Sequence, residues 1–186
     1  MPLPLPPEVG AYGPIPMNFV STIQDALPHL SAQPTSATYP VNMEYLNQYY
    51  GFMLYRHVLT RDYKTPAALS TRGVRDRAVV MVNGVPFGLL NREVNTTVNI
   101  TGTKGQAVDI LVENQGRIGF STNMNFNVKG LIENVTLEGV IMTDWKMFPI
   151  DLDNINKTME LMGSRQRYQG CYSLLFPIRF KTSMFF

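Results

Sequence analysis

The sequence predicts an all-β fold: an antiparallel, jelly-roll-like β-sandwich preceded by an extended Pro-rich segment and followed by an incomplete C-terminal tail. Three observations predict it. Short apolar and β-branched runs alternate with polar residues at period 2. Turn signals recur at regular intervals, and almost no stretch carries the 3.6-residue periodicity of an amphipathic helix. No internal repeat is visible.

Residues 1–42 are rich in proline, with Ser, Thr and Ala in "PHLSAQPTSATYP", a composition that favours an extended, weakly packed linker. Within it "MNFVSTIQDALPHL" can hold one or two helical turns before Pro28. The texture then changes, and residues 43–142 read as the sandwich domain. "YYGFMLYRHVLT" places Tyr49, Gly51, Met53, Tyr55 and His57 on one face and Tyr50, Phe52, Leu54, Arg56 and Val58 on the other. Both sets are largely apolar, so the segment reads as a strand covered on both sides. In "RAVVMVNGVPFGLLNREV", Asn83-Gly84 is the pair that most readily takes positive φ at both centres of a two-residue turn, so Val79–Val82 and Val85–Leu90 should pair as a hairpin. Pro86 cannot donate to a ladder and points to an edge strand or a non-bonded position rather than the middle of a large sheet.

"VNTTVNITGTKGQAVDILVEN" reads as a second hairpin around Gly102 to Gly105, with Val94, Thr96, Val98 and Ile100 inward and Asn95, Thr97, Asn99 and Thr101 in water. "GLIENVTLEGVIM" reads as one further strand, Leu131, Val135 and Leu137 facing away from Asn134, Thr136 and Glu138. Residues 143–186 begin with an irregular, aromatic-anchored connector, "DWKMFPIDLDN", and end in the apolar "CYSLLFPIRFKTSMFF", an incomplete strand pair. The low-charge, β-prone "YSLLFPIRF" makes the isolated chain association-prone by expectation.

Composition excludes several function classes. Sixteen Lys and Arg against 14 Asp and Glu give a formal net charge of +2, scattered rather than striped, so nothing selects nucleic acid or an anionic membrane. A single cysteine, Cys171, rules out an internal disulfide framework and a Cys-based metal cluster, and the two histidines, His29 and His57, lie far apart and read as surface or boundary residues. The opening residues lack a basic region and are broken by proline, so they do not read as a signal peptide. No apolar run approaches the roughly 20 residues that cross a bilayer. There is no nucleophile elbow, P-loop or dinucleotide fingerprint, and no cofactor motif. Asp76, Asp109, Glu113, Glu133 and Glu138 fall on different strands or turns, and no pair has neighbours that would raise one pKa for general-acid duty.

Two groups of residues remain as candidates. Four Asn-X-Ser/Thr sequons, at Asn95, Asn99, Asn134 and Asn156, are N-glycosylation acceptors if the chain enters the secretory route. Period-2 alternation turns the first three outward together with their threonines. In "VENQGRIGF", Glu113, Asn114 and Arg117 end an apolar strand at a turn, where the guanidinium fork suits a carboxylate, a carbonyl or a sugar hydroxyl. The residues allow a sugar contact or a clamp within or between domains, and the clamp is favoured because no aromatic platform stands beside them in sequence.

"YYGFMLYRHVL", "VRDRAVVMVNGVPFGLLNR", "DILVENQGRIGF", "KGLIENVTL" and "DWKMFPIDLD" occur in the order and at the spacing seen in the animal β-galactosidases and β-galactosidase-like proteins of glycoside hydrolase family 35, which the chain resembles over roughly residues 10 to 155. The resemblance implies a catalytic (β/α)-barrel followed by two galactose-binding-like β-sandwiches, in a lysosomal or secreted glycosidase of terminal β-galactosides. This chain would supply the linker, the first sandwich and the truncated start of the second. The family's catalytic glutamates belong to barrel motifs without counterpart here, so no catalytic or metal residue is carried over. The expected role is therefore a non-catalytic accessory fragment whose partners are the missing barrel and second sandwich. The alternative is a free-standing carbohydrate-binding or interaction module with weak affinity for a galactoside.

Overall fold

A computed structural model describes residues 21–31, 33–150, 152 and 153. In chain order it contains α1 (Ile23–Leu30), β1 (Thr35–Ala37), β2 (Phe52–Val58), β3 (Tyr63–Ser70), β4 (Val74–Arg75), β5 (Arg77–Val82), β6 (Val85–Asn91), β7 (Thr97–Gly102), β8 (Ala107–Glu113), β9 (Gly130–Leu131), β10 (Thr136–Leu137), β11 (Val140–Ile141) and β12 (Trp145–Ile150). Single 3-10 turns occur at Glu44–Leu46 and Met124–Phe126.

Every strand pair is antiparallel, and the strands sort into a six-stranded sheet, β1-β12-β2-β8-β5-β6, a four-stranded sheet, β11-β10-β3-β7, and the short pair β4-β9. The two larger sheets close on one apolar core. Met53, Tyr55, Val80, Val82, Val108, Ile110 and Met147 come from the six-stranded sheet, and Ala67, Leu69, Val98, Ile100 and Leu137 from the four-stranded one. This is a β-sandwich, held by the burial of alternate side chains from facing sheets.

The hairpin β5–β6 forms as the turn chemistry dictates. Asn83 and Gly84 have φ of 49° and 81°, both in the left-handed region, and β6 lies at the edge of its sheet with Pro86 beside Met81. β2 is covered on both faces, but it begins at Phe52; Tyr49 and Tyr50 precede it and are exposed.

Five sequence readings are corrected. The stretch around Gly102 to Gly105 is not a hairpin: β7 pairs with β3 while β8 lies between β2 and β5, so the connection crosses from one sheet to the other. Leu59 secures it, donating to Gln106 O at 2.9 Å and accepting from Gly105 N at 2.8 Å. Val94 is 84% exposed because Asn91 to Asn95 form a turn and inward alternation starts only at Val98. The segment Gly130–Ile141 is broken into β9, β10 and β11, and the chain reverses at Glu138-Gly139, both at positive φ. The connector reading of "DWKMFPI" gives way to β12, which hydrogen-bonds along β2 and buries Trp145 to 1% exposure. His57, expected at a surface or boundary, is buried, with Nδ1 2.7 Å from Thr143 O and its ring 5.6 Å from Trp145.

The segment read as a weakly packed linker also contributes structure. α1 is N-capped by Thr22, whose hydroxyl accepts from Asp25 N at 3.1 Å, and it runs through Pro28 rather than stopping before it. Ala26, Leu27 and Leu30 are buried, α1 packs against β12, and β1 extends the six-stranded sheet. The tail, with Asn156 and Cys171, lies outside the described residues.

One tyrosine ties these layers together. Tyr55 is fully buried; its hydroxyl donates to Val41 O at 2.8 Å and accepts from Leu131 N at 3.1 Å. Burial pushes its phenol pKa up, against the opposing effect of the Leu131 amide. Gly130, at φ +94°, lets the backbone pass this hydroxyl: a Cβ there would sit 2.3 Å from it.

Candidate functional site

β8 carries the chain to one end of the sandwich and stops at Glu113. Beyond it the backbone turns, with Asn114 Oδ1 accepting from Gly116 N at 2.9 Å. Asn114 and Arg117 converge on one acceptor, the Tyr49 carbonyl: Asn114 Nδ2 donates at 3.0 Å and Arg117 Nη1 at 2.7 Å. The other arm of the Arg117 guanidinium donates to Glu44, whose carboxylate also accepts from Lys129 N. Arg117 therefore joins three segments: the 3-10 turn at Glu44–Leu46, the approach to β2, and the start of the loop after β8. Glu113 contributes less, a 3.8 Å contact with Arg77.

A second ionic knot stands behind the first. Lys129 Nζ, almost fully buried, donates to both oxygens of Asp76 at 2.9 and 2.7 Å. Asp76 also accepts from Gln115 N at 3.0 Å and faces Arg92 at 3.7 Å. Both ends of the stretch 115–129 are thus pinned by charge-assisted hydrogen bonds, which are stronger than neutral ones. Sequence reading found Arg117 and Asn114 but missed Glu44, Asp76 and Lys129, because the residues that meet here are as many as 85 positions apart.

What the pinned ends hold is apolar and in water. Phe120 is 99% exposed and Phe126 79%, with Ile118 and Met124 also open. Tyr45 and Tyr49, from the segment Arg117 grips, and Tyr50 are exposed as well. Exposed large apolar groups scattered singly need no explanation; here Ile118, Phe120, Met124 and Phe126 are exposed together on one anchored loop.

Among the described residues, several carboxylates are taken up by the fold. Asp109 is fully buried and grips Arg56 with both oxygens, at 2.7 and 2.8 Å, and those hydrogen bonds raise the Arg56 pKa. Glu138 Oε1 accepts from Ala68 N at 2.6 Å, and Asp62 Oδ1 from Lys104 N at 2.8 Å. Each is committed to a donor of the fold. Among the described residues no group of His, Cys, Asp and Glu is placed to hold a metal ion. An open hollow of about 290 Å³ lies between Ser36, Ala37 and Asp144–Lys146, but the Trp145 ring beneath it is buried and presents no platform for a sugar ring.

The described sequon asparagines are all exposed. Asn99 stands at the middle of β7, opposite Ala68. Asn134 precedes β10, with the Thr136 hydroxyl donating to Ser70 O at 3.3 Å. Asn95 differs, since its Nδ2 donates to Leu89 O at 2.6 Å.

Comparison with known proteins places residues 40–151 in the family described as the β-galactosidase first all-beta domain. The chain is similar to the β-galactosidase of Bos taurus, 42% identical over 170 residues that make up 88% of this chain and 26% of the relative. It is 42% identical to the Homo sapiens β-galactosidase over 81% of this chain and 23% of the relative. With the β-galactosidase-1-like protein of Mus musculus it shares 38% identity over 95% of this chain and 29% of the relative. The chain thus spans about a quarter of the length of these relatives.

Proposed function

The chain belongs to the β-galactosidase first all-beta domain family, and from that membership we propose that it is a non-catalytic accessory sandwich of a longer β-galactosidase-like glycoside hydrolase. Its partners are the domains that make up the rest of such a protein, a catalytic barrel and a second sandwich. One observation carries the reading: the apolar loop bearing Ile118, Phe120, Met124 and Phe126 is held at both ends by Arg117–Glu44 and Lys129–Asp76, yet its tip touches water. Ordering a loop costs roughly 1–2 kcal/mol per residue in backbone entropy alone. A loop fixed in this way and tipped with phenylalanine is built to meet another surface. Glu113, Asn114 and Arg117 act as a clamp that sets its angle, so that contact between domains depends on them indirectly.

Catalysis belongs elsewhere on this reading. Glycoside hydrolysis needs two carboxyl groups about 5 to 9.5 Å apart across the scissile bond, whereas Asp76, Asp109 and Glu138 are each held by donors of the sandwich itself. The sequons suit a protein that passes through the secretory route to the lysosome or the exterior.

Two measurements test the proposal. An antibody against this chain should detect, in its native tissue, a polypeptide several times larger than 21.0 kDa; a band at the size of the chain alone overturns the reading. The purified chain should turn over no chromogenic β-galactoside and show no saturable galactose binding. Saturable binding would move the assignment to a free-standing carbohydrate module.

A further inference from the structure

We propose that Asn83 is a deamidation site which the β5–β6 hairpin holds shut, and that the isoaspartate formed there when the hairpin opens keeps it from closing again. Asn83-Gly84 is the only Asn-Gly pair in the sequence. Asparagine is among the thermolabile residues, and a following glycine has no side chain to screen its backbone nitrogen from the asparagine carboxamide. Asn83 is exposed, and its side chain makes no hydrogen bond among the described residues.

The reaction needs only water. Gly84 N bonds to Asn83 Cγ and loses its proton, the Cγ–Nδ2 bond breaks, and Nδ2 leaves as ammonia. Water then opens the cyclic imide. Cleavage at Cγ leaves aspartate; cleavage at the Asn83 backbone carbonyl leaves isoaspartate, in which the chain runs on through Cγ and gains a methylene. Either product lowers the formal net charge from +2 to +1, one new carboxylate replacing a neutral amide.

The folded turn forbids the first step. Asn83 has a φ of 49°. A residue in the left-handed region has ψ of about +47°, and Cβ lies roughly 120° further round the same bond, so Cβ stands about 165° away from the next nitrogen. Closing the five-membered ring needs those two atoms on the same side of that bond. To react, Asn83 must leave the left-handed region, and the fold resists this at two points. Its backbone N–H donates to Ala107 O on β8 at 2.8 Å, and Gln24 of α1 lies over the turn, its Cδ 3.5 Å from where a Cβ on Gly84 would stand. The conformation that makes Asn-Gly the favoured hairpin pair therefore protects it from its own chemistry. Isoaspartate does not fit the turn: the length of the loop fixes the register of its strands, and the inserted methylene changes that length.

The test incubates the purified full chain in mildly alkaline buffer, folded and in denaturant, and follows the tryptic peptide 78–92 by mass spectrometry, with an isoaspartyl methyltransferase marking the isoaspartate. The unfolded chain should convert at least about tenfold faster than the folded one, and in the folded chain the rate should climb with added denaturant in step with hydrogen exchange at the Asn83 amide, since both report the same opening. Equal rates in the two states, or no isoaspartate at Asn83 in the unfolded chain, overturn the proposal. The refolded isoaspartyl-enriched fraction should melt below the parent, while Asn83→Asp, which keeps the normal linkage and the favoured Asp-Gly pair, should melt with it. An isoaspartyl fraction that melts with the parent overturns the second half. None of these outcomes depends on what the apolar loop meets, so this inference and the accessory-domain reading fail separately.

Discussion

The outer faces of the two sheets had the same options and took opposite ones. On the six-stranded sheet the outward residues Leu54, Val79, Met81, Leu111 and Phe148 are all buried, and Arg56 pairs with the buried Asp109 among them, its guanidinium 5.5 Å from the Phe148 ring. On the four-stranded sheet the outward residues of β3, β7 and β10, Ala68, Ser70, Thr97, Asn99 and Thr136, are small or polar and reach water, and Ile141 on the edge strand β11 is exposed as well. The first face is a second apolar layer, against which α1 turns Ala26, Leu27 and Leu30. The second is a hydrated surface. The difference teaches that period-2 alternation reports which side of a strand faces the main core, whereas the composition of the other side reports whether anything covers it.

The largest test of the contrast is Leu111→Ala. It should cost about 2–5 kcal/mol in chemical denaturation, as removal of a core leucine does; a loss under about 1 kcal/mol would show that the face behaves as surface. Asp109→Ala should come next. It leaves Arg56 without its carboxylate, but the Arg56 side chain is 25% exposed, so the loss should be about 2 kcal/mol, below the roughly 3–5 kcal/mol of a fully buried broken pair. Leu27→Ala asks whether α1 is the cover: a fall of about 2 kcal/mol, the low end for a buried leucine, together with faster amide exchange in β12 is expected, and unchanged exchange would detach the helix from the sheet. Smallest is Asn99→Gln on the open face, within about 0.5 kcal/mol of the parent. A loss near 2 kcal/mol there would erase the distinction between the faces.

A further comparison concerns the two tyrosines that most affect the site. Tyr55 is inside and bonded at both lone pair and proton, so Tyr55→Phe should cost about 1–3 kcal/mol by leaving the Leu131 amide and the Val41 carbonyl unpaired. Tyr49 acts through its backbone carbonyl, which Asn114 and Arg117 share. Its side-chain replacement should leave stability nearly unchanged, and thermal melts of the two variants side by side would check both outcomes.

Much was legible in the chain itself. Asn83-Gly84 determined its own hairpin because positive φ at two successive residues is a local property, and the alternation of Met53, Tyr55, Val98 and Ile100 determined which side chains face the core. Arg117 and Asn114 stood out because a turn after an apolar run needs their chemistry nearby. The partners of those strands were decided only in three dimensions. β7 and β8 alternate just as a hairpin would, yet they hydrogen-bond in different sheets, since a ladder satisfies any extended backbone and pairing is chosen by where the apolar faces can meet. In the sequence β12 reads as a connector, and α1 as one or two turns ending before Pro28. Burial of Trp145, Phe148 and Leu27 outweighs local propensity once a sheet is there to receive them. The ionic knot of Glu44, Asp76, Lys129 and Arg117 is the extreme case: charge pairing acts over a few ångströms of space and leaves no trace at a separation of many tens of residues along the chain.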